Sequence, residues 1–426
     1  MTAQISVAEQ GHRCPECGAD VPVESRFVTW CDACDWNVDP GAPAPDPRRI
    51  EALRRRLAQR YGERLFADLG PRPGRDVAGV LACALALVVH GVTAALAVTG
   101  LLLVVLGWGM GVLPVVGAVL LAIAVALRPR FGVLPDDTPV LRRPDAPRLF
   151  ELVDEVAAVA GTAGVDTVVI AADANAAVST YGVRHRRMLR IGLGLWEILT
   201  PPQRVALIGH ELGHFAHGDT RRGAVVGRAL DSLALWLYFL TPDSETDLMQ
   251  RVTHWMMAVP RWAVLGLLHL LDQLTLRATQ RAEYLADETA ARAGSSVAAA
   301  ELLDRLLLVP SVTSALHRES VVAHSRGGAA ARREAEQRLW ERLAARIESV
   351  PEREYKRLRR VSTLRGHCAD STHPPTHLRR RRVSEGTQWQ AAVRCDEERA
   401  GAIAAELTAA RDHMAHVVIR DAAADQ

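Results

Sequence analysis

The alternation of apolar and polar positions divides this chain into regions of different kinds. The most extreme is Val77–Leu127, where 51 consecutive residues include no Asp, Glu, Lys or Arg. One membrane span needs about 20 residues, so the run predicts two apolar helices joined by a tight turn. Two places suit the turn. It falls either at Thr99-Gly100, leaving Pro114 as a kink in the second helix, or within GWGMGVLP at 107–114. The first is preferred, because the second leaves too few residues to cross again. Beyond the run, DAPRLFELVDEVAAVAG (145–161) has apolar residues at helical spacing and closes on Gly161. DTVVIAAD (166–173) has the β-branched run of a strand, and MLRIGLGLWEIL (188–199) reads as a second strand passing into a short turn. Gly223–Leu240 and Val252–Leu271 are apolar but interrupted, the first by Arg228 and Asp231, the second by Arg261. Uncharged runs of about ten residues are too short to span, so both predict interfacial or core helices. From 311 to 366 the pattern is charged and helical and offers no chemistry.

Charge changes the picture mainly through its placement. A net charge of +2 on 426 residues gives no reason to expect a nucleic-acid partner. Between Arg48 and Asp76, however, nine arginines face four acids, and Arg128, Arg130, Arg142, Arg143 and Arg148 follow the apolar run. Under the positive-inside rule both flanks stay cytoplasmic, so the hairpin is an anchor in the cell membrane. The basic stretch 48–69 then suits anionic lipid at the membrane surface. The opening MTAQISVAEQ has neither a basic n-region nor an apolar h-region, so no signal peptide is expected.

The cysteines are unevenly spread. Cys14-Pro-Glu-Cys17 and Cys31-Asp-Ala-Cys34 form two CxxC pairs thirteen residues apart. Each pair brings two thiolates to one ion from a tight knuckle, and two knuckles complete a tetrahedral site. Gly18 suits the backbone of the first knuckle. The module resembles a zinc ribbon with one structural zinc. Trp30 and Trp36 flank the second knuckle and are expected to cover the metal. The Pro-rich DPGAPAPDP (39–47) and the apolar run then separate the ribbon from the rest, so its loss should leave any chemistry downstream undisturbed.

That chemistry is concentrated in LTPPQRVALIGHELGHFAHGD (199–219). Thr200 is a good N-cap, Pro201 and Pro202 suit a first helical turn, and Gln203 completes a capping box. His210 and His214 then fall on one helix face, where both imidazoles reach one ion. Glu211 sits beside them, placed to take a proton from an attacking water. A third ligand is needed. His217 lacks the spacing for it and reads either as a histidine at the helix C-terminus or as one standing behind the ligands. RAEYLADETAARAG (281–294) offers Glu283 and Asp287 one turn apart on a helix ending at Gly294. Ala286 and Ala290 would let this helix approach closely. Glu283 then ligates, and Asp287 orients a ligating histidine through its second ring nitrogen.

HELGHFAHGD and EYLAD together resemble the M48 zinc metallopeptidases, especially the HtpX-like bacterial membrane proteases. The resemblance covers roughly 140–305 and a patch near 371–380. NAAVSTYG (175–182) is similar to the family's Asn-Ala strand, which implies that Asn175 and the strand's backbone hold an extended substrate. STHPPTHLR (371–379) is similar to its His-Pro-Pro element, which implies that His373 stabilises the oxyanion and that Arg379 contacts substrate. One position departs from the pattern: Gln280 stands where the family usually has arginine, and Arg281 follows it.

The expected fold class is α+β, a mainly helical zincin-type metallopeptidase domain with a small β-sheet, a transmembrane hairpin and an N-terminal zinc ribbon. The expected boundaries are 12–38 for the ribbon, 39–76 for linker and basic juxtamembrane helix, and 77–127 for the hairpin. The peptidase domain follows at 140–305 and a helical C-terminal region at 306–426. The expected activity is that of a membrane-anchored zinc endopeptidase acting on damaged or unassembled membrane proteins. It would use one catalytic and one structural zinc, with polypeptide substrates, the lipid bilayer and no nucleic acid as partners. The competing reading is a non-catalytic zinc-binding membrane scaffold, which would have no use for the base at Glu211.

Overall fold

The computed structural model describes residues 12–41, 63, 66, 77–128, 132–216, 219–241, 248–325, 328–365 and 374–421. The Pro-rich linker from residue 42 and most of the predicted basic helix, His217 and His373 lie outside them. The ribbon opens with the antiparallel pair β1 (His12–Arg13) and β2 (Asp20–Val21).

The apolar run forms two helices, α1 (Val77–Leu106) and α2 (Leu113–Ala126), packed against each other. The turn lies in the glycine-rich segment and not at Thr99-Gly100, which is a correction. Gly109 and Gly111 take φ of 92° and 63°, a left-handed backbone open mainly to glycine. Pro114 stands in the first turn of α2, where its missing N–H is no loss. Gly100 serves contact instead of turning. A Cβ there would lie 2.8 Å from the Gly117 carbonyl, and one on Gly117 would lie 2.6 Å from the Gly100 carbonyl. The helices thus meet backbone to backbone. Among the described residues α1 alone is long and apolar enough to cross a membrane. The 14 residues of α2 rise only about 21 Å.

The sheet comprises β3 (Val140–Leu141), β4 (Thr167–Ala171), β5 (Ala176–Tyr181) and β6 (Arg186–Gly192), in the order β3-β4-β6-β5. Strands β4 and β6 run parallel and the other pairs antiparallel, so β5 is an edge. Between β3 and β4 lies α3 (Pro147–Ala160), which ends on Gly161 at φ 73° as its sequence predicts. It lays Leu149, Phe150, Leu152 and Val156 on the core. A short α4 (Leu193–Trp196) follows β6, and then comes α5 (Pro201–Ala216). Half of the predicted capping box forms there, with the Thr200 N–H donating to Gln203 Oε1 at 3.1 Å.

Two long helices follow, α6 (Asp219–Leu240) and α7 (Leu248–Gly294). The apolar segments predicted as interfacial or core helices lie here. Val226, Ala229, Leu233 and Trp236 of α6 and Val264 and Leu271 of α7 pack on Ala82, Ala86 and Val89 of α1. Tyr238, Trp255, Val259 and Trp262 remain exposed. Helix α7 runs through Pro260 without a break and carries the predicted 281–294 segment at its end.

Seven helices complete the chain: α8 (Ser296–Leu306), α9 (Val309–Ser325), α10 (Ala329–Glu348), α11 (Glu352–Arg365), α12 (Thr376–Glu385), α13 (Glu397–Glu406) and α14 (Thr408–Asp421). Leu343, Ile403, Met414 and Ile419 share one apolar core with Phe150, Trp196 and Leu212, so the helices beyond residue 305 and the segment before them bury a common interior.

The ribbon does not stand apart. Linker and hairpin separate it in sequence from everything beyond residue 140 but not in space, because it lies against α11. Lys356 pairs with Asp32 at 2.9 Å, Arg360 with Asp35 at 2.8 Å and Arg365 with Asp39 at 2.6 Å. Arg357 donates to the Val38 carbonyl at 2.7 Å, and Arg353 donates to the Trp30 carbonyl. Trp30, expected over the metal, instead packs with Val38 and Val361 of α11. Trp36 keeps its expected place beside the cysteines.

Candidate metal centre and substrate groove

The two ends of the candidate centre lie on α5 and α7, far apart in sequence. Small residues bring them together. A Cβ on Gly213 would lie 2.8 Å from Ala286 Cα, and one on Gly209 would lie 3.0 Å from both Ala290 Cα and Ala293 Cβ. Ala286 and Ala290 were legible as contact residues. Gly209 and Gly213, inside the histidine motif itself, were missed, although their spacing of four was the available signal.

The crossing sets three side chains around one point. His210 Nε2 and His214 Nε2 lie 3.3 Å apart. Glu283 Oε2 is 3.7 Å from the first and Glu283 Oε1 is 3.6 Å from the second. Ligands at about 2.0–2.2 Å from a tetrahedral zinc stand about 3.3–3.6 Å from one another, so the donor set fits that ion. His210, Glu211 and Glu283 are buried, and His214 is half-buried.

Behind the donors lies a charged layer. Asp287 Oδ1 is 3.0 Å from His210 Nδ1, and Arg379 grips the same carboxylate with bonds of 2.8 and 2.7 Å. Burial opposes ionisation of Asp287, yet the Arg379 charge and its hydrogen bonds hold the carboxyl well below the usual range. An ionised carboxylate only accepts, so Nδ1 of His210 carries the proton and Nε2 keeps its lone pair for a metal. Burial pulls His210 down, but the Asp287 bond and the neighbouring carboxylates leave its pKa raised. Burial and then the His210 charge push His214 down to about 4. Burial also acts against Arg379, but Asp287, Glu283 and Glu211 together hold it firmly protonated.

A groove of about 710 Å³ runs past the centre. Asn175 to Val178 at the start of β5 form one wall, and Leu195, Leu207, Leu302 and Leu306 form an apolar one. The predicted Asn-Ala strand is thus the sheet's edge strand beside the donors. Asn175 is exposed and its carbonyl accepts the Gly192 N–H at 2.8 Å. His373 lies outside the described residues; Pro374 and Thr376, which follow it, line the groove. Arg379 borders the groove too, but its hydrogen bonds go to Asp287 and its charge lies 3.4 Å from Glu283 Oε2, behind the metal donors. Sequence reading gave it to substrate because nothing in the chain pairs it with Asp287. The leucine wall went unnoticed for a related reason, since its members come from three separate helices.

The second candidate centre is local. Cys14 Sγ lies 3.5 Å from Cys34 Sγ and Cys17 Sγ lies 3.6 Å from Cys31 Sγ. All four sulfurs fall within 4.8 Å of one another. Gly18 turns the first knuckle at φ 73°, letting its N–H reach the Cys14 carbonyl at 2.9 Å. Thiolates at about 2.3 Å from a tetrahedral zinc stand nearly that far apart, so this set fits the ion as well.

Two crossing helices thus bring two histidines and a glutamate to metal-ligand spacing beside an edge strand. The family model of peptidase family M48 matches residues 144–387, and the chain belongs to that family, whose members are metal-dependent and usually use zinc. No curated protein and no solved structure matches the chain.

Proposed function

We propose that the chain is a membrane-anchored zinc endopeptidase whose active site is the α5–α7 crossing. The observation that carries the reading is the convergence of His210, His214 and Glu283 at tetrahedral spacing on a groove walled by an edge strand. Zinc held by these three residues would supply Lewis acidity, lowering the pKa of water and polarising the scissile carbonyl. An extended polypeptide adds to β5 as a further strand, which fixes its register against the donors. Glu211, buried beside the histidines, takes the proton of the attacking water and passes it to the leaving amine. Asp287 holds the His210 ring in the ligating tautomer, and Arg379 keeps Asp287 ionised. The family resemblance supports His373 as the donor to the developing oxyanion.

Anchoring rests on α1, whose outer face exposes Val80, Leu87, Val98, Leu101 and Val105. The close-packed α1–α2 pair supports a hairpin, and the arginines at both of its flanks support a cytoplasmic active site. Damaged or unassembled proteins at the membrane are the substrates this placement favours. Detergent-purified protein is expected to hydrolyse casein, to lose that activity to a chelator and to regain it with zinc. Glu211→Gln should keep its metal, since Glu211 is no ligand, but lose at least ~10²-fold in rate. Full activity in that variant would remove Glu211 as the base, and no chelator-sensitive hydrolysis by the unsubstituted protein would leave the chain a zinc-binding scaffold.

A further inference from the structure

The docked ribbon does more than cover α11. The loop between its knuckles reaches α9 and α10 and closes a pocket of about 320 Å³ there. Three arginines from three separate elements line it: Arg26 of the ribbon, Arg318 of α9 and Arg346 of α10. All three are exposed, and no ion pair to a carboxylate is found for any of them among the described residues. Burial and the charges of Arg318 and Arg26 pull the Arg346 guanidinium below its ordinary pKa, against the opposing charge of Glu319. The nearby acids are engaged elsewhere. Glu354 on the pocket wall is gripped by Arg357 at 2.7 and 2.8 Å, and Glu319 faces Arg342 at 3.3 Å. Besides the arginines, the lining sets apolar Phe27, Ile347 and Val350 beside the hydroxyls of Ser311 and Ser314. Exposed Pro310 lines both this pocket and the groove at the metal donors.

We propose that this pocket is an accessory binding site for an acidic segment of the polypeptide substrate, one that alternates carboxylates with apolar side chains. The assignment of the segment to a substrate rests on the peptidase reading; the binding itself does not. Charge complementarity selects the occupant, because arginines with no carboxylate ion pair, set among Phe27, Ile347 and Val350, attract carboxylates on an apolar chain. Continuity with the groove across Pro310 places that segment on the same polypeptide as the scissile bond. The ribbon supplies Arg26 and one wall of the pocket, so it selects substrate without touching the catalytic donors.

The test uses full-length Glu211→Gln protein in detergent, which binds without cleaving, and two fluorescein-labelled peptides. One alternates Glu with Leu and the other carries Gln in place of Glu. Anisotropy is expected to show the Glu peptide bound about tenfold more tightly, a preference erased by high salt. Adding Arg26→Gln, Arg318→Gln and Arg346→Gln should erase it at low salt too, while zinc content stays unchanged. Cys14→Ser should likewise abolish the preference, while the catalytic zinc is retained. Equal affinity for the two peptides overturns the proposal, as does a preference that survives the arginine substitutions. If phosphatidylglycerol vesicles are what these substitutions release, the pocket binds membrane and the proposal fails. Should the triple variant not fold, Arg318→Gln alone must weaken the preference, and an unchanged preference then decides against the site. Casein hydrolysis by the unsubstituted protein reports separately on the peptidase reading.

Discussion

The two candidate centres solve the same geometric problem from opposite starting points. Four cysteines lie within a stretch of 21 residues, and local turns bring their sulfurs together. The histidines and Glu283 are 73 and 69 residues apart, and a helix crossing has to assemble them. The cysteine cage is complete, with four protein donors. The crossing supplies three and faces a groove, the arrangement in which a metal keeps one position for chemistry. A closed local site tolerates change around it, whereas an open non-local one depends on every contact that sets the distance between its helices.

The sharpest way to break this contrast is at the crossing. In Gly213→Leu the new side chain begins 2.8 Å from the backbone of α7, so the helices must part. Glu283 then leaves the histidines. Zinc content is expected to fall from two ions per chain to one, with at least ~10²-fold lower peptidase activity. Gly227→Ala on α6, where nothing lies within 4 Å of the new Cβ, should leave both unchanged and gain about 0.4–1 kcal/mol in stability. Two zinc ions in the Gly213→Leu protein would show that the crossing does not set the site.

What the sequence made legible follows the same division. Both CxxC pairs, the i and i+4 histidines and the 283/287 acid pair are local patterns, while the strand at Ala176–Tyr181 is legible only through the family resemblance. The structure gathers the four cysteines, gathers the histidines with Glu283, and sets the strand along the groove. The misplaced turn came from a length argument that ignored what Gly107, Gly109 and Gly111 allow. Gly100 looked like a turn because a contact glycine and a turn glycine are the same letter. The docking of the ribbon was invisible for another reason. Asp32, Asp35 and Asp39 and the bases of α11 lie more than 300 residues apart, and each alone reads as a solvated charge. Pairing across that separation is decided by the fold.

A smaller effect is expected behind the donors. Asp287→Asn keeps the shape but loses the anion that fixes the His210 tautomer, and zinc affinity in chelator competition should fall about 10- to 100-fold. Arg379→Met leaves two buried carboxylates, Asp287 and Glu283, without their cation. Stripping one partner from such a group costs about 3–5 kcal/mol, so thermal stability should drop more than zinc affinity. A substrate-contacting Arg379 would instead raise KM with stability and zinc affinity little changed.

The smallest effects belong to the ribbon's seat on α11. Each exposed ion pair there is worth about 0.2–1 kcal/mol, so Arg360→Gln alone should scarcely move the melting temperature. Arg365 and Asp39 are the stronger case, being joined by two bonds of 2.6 Å with the carboxylate nearly buried. A double-mutant cycle of Asp39→Asn and Arg365→Gln should give a coupling near the top of that range, about 1 kcal/mol. Its pH dependence has a definite sign. The hydrogen bonds from Arg365 hold the Asp39 carboxyl below its ordinary value, against the opposing effect of burial. The coupling is therefore complete above the unfolded carboxylate value of about 4 and fades as pH falls through the lowered folded one. Thiolates lose zinc on acidification as well, so the cycle is best run at neutral pH and repeated in high salt, where an exposed pair weakens. Zero coupling at low salt would mean that this pair does not seat the ribbon, leaving that to Trp30, Val38 and Val361 and to the bonds of Arg353 and Arg357 to its carbonyls. The contrast between a tolerant local site and a dependent crossing would then extend to its docking as well.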